Sequence, residues 1–62
     1  MDCIIEVVAV DGRLVSTLHT DMNAEALIMA KALSAGLPEH LVKVYMRGKL
    51  RRIYQSTHFK EV

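Results

Sequence analysis

Four side chains in this chain are of types that attack carbonyls, shuttle protons or hold metals: Cys3, His19, His40 and His58. Brought together, they would offer a thiolate beside an imidazole base, or a zinc site of mixed sulfur and nitrogen ligands. Their spacing fits neither. Structural zinc ligands come in close pairs along a chain, and these four stand singly from one end to the other. No Cys–His or Ser–His signature accompanies them. Cys3 lies in an apolar run, where a cysteine acts as a small buried hydrophobe. Gly12, Gly36 and Gly48 are also isolated, each placed at a turn or a helix end, so no phosphate-binding loop is present. A 62-residue chain has little room for a concave site. We therefore expect no catalytic residues, no metal and no cofactor, and a protein that is not an enzyme.

A second group is more suggestive. Tyr45, Arg47, Lys49, Arg51, Arg52 and Tyr54 crowd into one short stretch. Guanidinium and ammonium groups bind carboxylates or phosphates, and tyrosine rings stack on unpaired bases. The same residues could equally be solvated charge on a strand edge. The charge of the whole chain is modest, +1, whereas a dedicated nucleic-acid binder is strongly basic. The distribution is uneven, however. Residues 1–35 hold five acidic groups against two basic, and residues 36–62 hold six basic against two acidic. That asymmetry fits an acidic partner for the second half, or contacts between copies.

The elements that position these residues are legible from pattern. Residues 21–36 are rich in Ala, Leu, Met, Glu and Lys and predict the one helix. Asp21 is the expected N-cap, with Thr20 and Asn23 as alternatives. Gly36, in a left-handed conformation, is the expected stop, followed by Pro38. At helical spacing Ala26, Met29, Ala30, Leu33 and Leu37 share a face for the sheet. The opposite face, with Ala24, Ile28, Ala32 and Ala35, is also apolar, so Ile28, Ala32 and Ala35 are candidates for self-association in a homo-oligomer.

A hairpin pattern flanks the helix on each side. Residues 3–18 read as the first, turning at Asp11-Gly12 in a two-residue turn. Its first strand is apolar on both faces, which predicts a central strand covered on both sides. Its second is shorter and more polar, as suits an edge. Residues 41–55 read as the second hairpin, turning at Arg47-Gly48. Val10-Asp-Gly-Arg-Leu14 and Met46-Arg-Gly-Lys-Leu50 echo one another. Residues 56–62 read as a polar tail pinned by Phe59. The sum is one α+β domain over 1–62, ββαββ, with a four-stranded antiparallel or mixed sheet and the helix on one face. The other face should then expose apolar side chains with Tyr45 or Tyr54, as an interface would.

The run from Leu14 to Ala32, followed by Leu41-Val-Lys-Val-Tyr-Met-Arg47, resembles the strand–helix–strand plan of small phage-encoded host-takeover proteins, among them inhibitors of bacterial RNA polymerase. The resemblance covers about half the chain and carries over no functional residue. It implies a cytoplasmic, non-enzymatic protein that binds a host protein. The C-terminal strand with Arg51 and Arg52 departs from that plan. A single cysteine, the absence of a basic leader and of any apolar run near membrane-spanning length also fit the cytoplasm. The expected function is a protein-interaction module that inhibits or adapts a larger partner with an acidic surface. The alternative is a nucleic-acid-binding regulator using the same basic hairpin.

Overall fold

The computed structural model describes residues 2–62. Six elements follow in order: β1 (Cys3–Val8), β2 (Leu14–Thr20), α1 (Asn23–Gly36), β3 (Leu41–Met46), β4 (Lys49–Gln55) and β5 (His58–Glu61). The strands form one antiparallel sheet in the order β2-β1-β3-β4-β5, and α1 lies across one face. The architecture is the α+β arrangement expected, with β1 inside the sheet and β2 at its edge.

Register sets which side chains meet α1. Ile5 stands between Leu18 and Val44, and Val7 between Ser16 and Val42. On the far side Val42 faces Tyr54 and Val44 faces Arg52. Cys3, Ile5, Val7, Val42, Val44 and Tyr54 are thus buried with Ala26 and Ala30 of the helix. The two alanines let the helix backbone approach the sheet closely. Met29, Leu33 and Leu37 border this core, as their spacing predicts. Ser34 is fully buried too. Its hydroxyl is satisfied twice, donating to the Lys31 carbonyl at 2.7 Å and accepting the Thr57 N–H at 3.0 Å.

The helix ends differ from expectation. Met22 occupies the N-cap position with no side-chain cap bond. Thr20 supplies the polar contacts instead, its Oγ1 accepting the Met22 N–H at 3.3 Å and donating to Glu25 at 3.0 Å. At the other end Gly36 is still helical and not left-handed. Leu37 closes the helix with its N–H on the Leu33 carbonyl, and Pro38 follows.

The turns correct two further readings and bear out a third. The first hairpin closes with a three-residue loop, not a two-residue turn. Gly12 N–H bonds to the Ala9 carbonyl, Ala9 N–H to the Arg13 carbonyl, and only Gly12 takes positive φ. Asp11 instead accepts the Arg13 N–H on its carboxylate. The second hairpin does turn in two residues, with Arg47 and Gly48 both left-handed. Finally, the tail is not a tail. Ser56 and Thr57, both at positive φ, turn the chain into β5, which pairs along β4 from Gln55–His58 to Arg52–Glu61. The hairpin of Tyr45 and Arg51 is therefore not at the sheet edge.

Candidate functional site

Each inward residue of a strand has neighbours pointing the opposite way. Opposite the core, β1 presents Ile4, Glu6 and Val8, β3 presents Leu41, Lys43 and Tyr45, and β4 presents Leu50 and Ile53. All eight are partly exposed. Among the described residues no element covers this face. The expectation that β1 is covered on both sides holds for the helix side alone. The result is a shallow surface of aliphatic side chains around Tyr45, with Glu6 and Lys43 set across from each other on β1 and β3.

Tyr45 is the aromatic anchor of this surface. Its hydroxyl is pushed above the usual phenol range, first by burial and then by the Glu6 carboxylate beside it. It stays neutral and able to donate a hydrogen bond at any physiological pH. Ile53 sits between Lys43 of β3 and Lys60 of β5. Beyond it, Leu41, Gln55 and His58 complete a hollow toward the β4–β5 turn. Arg47 and Lys49 are exposed at the tip of the β3–β4 hairpin. Next to the uncovered face, then, stands a basic margin.

The six residues singled out from sequence do not form one surface. Tyr45 lies on the uncovered face, and Arg47 and Lys49 at the tip. A bulge in β4 sets both Leu50 and Arg52 in register with β3 and leaves Arg51 as the extra residue. Arg51 lies beside Asn23 and Met46, near the start of the helix. Arg52 and Tyr54 belong to the helix side. Tyr54 is 3% exposed, so it is no stacking platform. Arg52 donates to the Tyr54 hydroxyl and to Glu61, each at 3.1 Å, and its guanidinium lies 4.0 Å over the Phe59 ring. The Tyr54 hydrogen bond raises its already high pKa, burial opposes this, and the Glu61 carboxylate adds to the rise. Its charge is engaged within the fold. Phe59 stacks obliquely on Tyr54 at 5.5 Å. It does pin its segment, but as part of a strand.

The helix back is as exposed as expected: Ile28, Ala32 and Ala35 are all exposed. Ile28 borders a hollow it shares with Phe59, Leu27 and Lys31. Cys3 is fully buried and donates from Sγ to the Asn23 Oδ1 at 3.1 Å. Burial, then Asp2 and Asp21, push its thiol up. Among the described residues no three His, Cys, Asp or Glu side chains group as metal ligands, and no helix is long and apolar enough to cross a membrane.

Of the five strands, β5 escaped reading from sequence; an uncovered apolar face carrying Tyr45 or Tyr54 was expected, and the register puts Tyr45 on it. No family model matches this chain, and it matches no curated protein and no solved structure.

Proposed function

We propose that this protein is a non-enzymatic interaction module that docks its helix-free sheet face on a larger protein and thereby inhibits or adapts it. One observation carries the reading: Tyr45, Ile4, Val8, Leu41, Leu50 and Ile53 stand together on a face that no element of the chain covers. Contiguous apolar surface of this kind on a small domain serves as an interface. Lys43, Lys60, Arg47 and Lys49 around it outnumber Glu6, which suits a partner whose apolar patch has an acidic rim. Nucleic acid is the weaker reading. Tyr54 is buried and Arg52 is paired, so the interleaved aromatic and basic ladder that recommended it is not on one surface.

Ile53→Glu tests this. Lys43 and Lys60 flank position 53 across both strand pairs, so the new carboxylate has cross-strand partners and the fold is retained. Wild type and variant are used as bait in nuclease-treated lysate, with Ile28→Asp as a control on the opposite side of the molecule. The expected result is a stoichiometric partner held by wild type and by Ile28→Asp and weakened at least tenfold by Ile53→Glu. Equal capture by all three would overturn the face assignment. Capture abolished by the nuclease would put nucleic acid first.

A further inference from the structure

The two edges of the sheet are unlike. β5 is four residues long and carries His58, Lys60 and Glu61, a short charged edge of the kind that resists pairing. β2 runs seven residues, Leu14–Thr20, without one Asp, Glu, Lys, Arg or Pro. A bulge disturbs its start, where Val8 of β1 meets Leu14 and Val15 is the extra residue. From Ser16 to Thr20 the pairing is regular, and the outer backbone N–H and C=O groups have no strand beside them. Immediately inside that edge, Leu18 with Met29, Ala32, Leu33, Gly36 and Leu37 lines an apolar hollow between β2 and α1. Free backbone groups beside an apolar slot are the two parts of a strand-addition site.

We propose that the occupant is a second copy of this chain, paired β2 to β2, antiparallel, about a two-fold axis at Leu18. Lying on its own two-fold sets a strand against itself, which like charges would oppose; β2 has no Asp, Glu, Lys or Arg to do so, and its one histidine, His19, falls opposite Thr17 and not opposite itself. Residues directly opposite in an antiparallel pair share a face. On the helix side β2 offers Ser16, Leu18 and Thr20, and on the other side Thr17 and His19. Setting Leu18 against Leu18 pairs the one leucine of the helix side with its like, over both hollows. Ser16 then meets Thr20, and Thr17 meets His19, each a polar match. Because β5 cannot accept a strand in the same way, the contact closes as a dimer and does not propagate. Oligomerisation is also the staple that a chain of this size most lacks. The joined sheets set two uncovered faces side by side, but the pairing does not depend on the docking role of that face.

Sedimentation over a concentration series, repeated with two variants, tests the pairing. Thr17→Lys places a charge on the edge opposite Glu6 of β1, which keeps the monomer folded. Leu18→Cys brings two thiols opposite at about 5 Å between Cβ atoms, close enough to oxidise with slight adjustment, while Cys3 stays buried. The expected results are a doubled mass for wild type, a monomer with unchanged circular dichroism for Thr17→Lys, and a disulfide-linked dimer for Leu18→Cys that Thr17→Cys does not match. A wild-type monomer up to millimolar concentration overturns the proposal. So does a dimer that survives Thr17→Lys and is lost in Ile28→Asp, and so does linkage favoured at position 17.

Discussion

At the scale of residues, the buried hydroxyls of Thr20 and Ser34 and the Cys3 thiol each find a hydrogen-bond partner. Ser34 is buried because Lys31 and Thr57 use both capacities of its hydroxyl; an unpaired hydroxyl there would cost about 1–3 kcal/mol. Cys3 is likewise held neutral by its surroundings. Ionising the thiol is disfavoured in the folded chain and not in the unfolded one. Its contribution is therefore whole below the ordinary thiol range, about 8.5, and is lost as pH rises through it. Removing the thiol removes that loss. The melting-temperature gap between wild type and Cys3→Ala should narrow between pH 7 and pH 10, roughly the span across which a free thiol ionises. A constant gap across that range would mean that the thiol does not titrate on unfolding.

At the scale of elements, β5 shows what local pattern conveys and what it does not. Left-handed turns are legible when glycine or asparagine marks them, as Gly48 does. Ser56 and Thr57 carry no such mark, and each stands at positive φ against its own preference, a cost of about 1–2 kcal/mol per residue. Contacts far away in sequence hold them there: Ser56 donates to the Pro38 carbonyl, and the Thr57 N–H reaches Ser34 at the end of the helix. Thr57→Gly keeps that N–H and relieves the strain, so it should raise stability by roughly 1 kcal/mol in urea unfolding; a loss of stability would show that the threonine side chain matters more than its backbone. The helix, the two hairpin spans and the face carrying Ala26, Ala30 and Leu33 were legible because propensity and periodicity agree there. The Met22 N-cap and the three-residue first turn were not. Thr20, Asp21 and Asn23 compete on equal local terms, and Asp-Gly serves two turn types equally well. Of the candidate site, Tyr45, Arg47 and Lys49 were legible as surface. Arg52 and Tyr54 were not, because the β4 bulge at Arg51 and the unseen fifth strand decide where they point.

At the scale of the whole molecule, one helix cannot cover two faces of a sheet. Alternation in β1 made both faces apolar, and α1 takes one. On the two proposals made above, the other face with its basic margin and the β2 edge have separate uses: a partner on the face and a second copy at the edge. Each can be broken alone, by Ile53→Glu or Thr17→Lys, which makes the two separable in one set of samples. The most direct measurement of the docking claim is hydroxyl-radical footprinting of the captured complex against the free protein. Tyr45, Leu41 and Leu50 should lose reactivity severalfold on binding, while Ile28 on the helix side stays as reactive as before. Protection centred on Ile28, with Tyr45 unchanged, would place the partner on the helix back and contradict the claim.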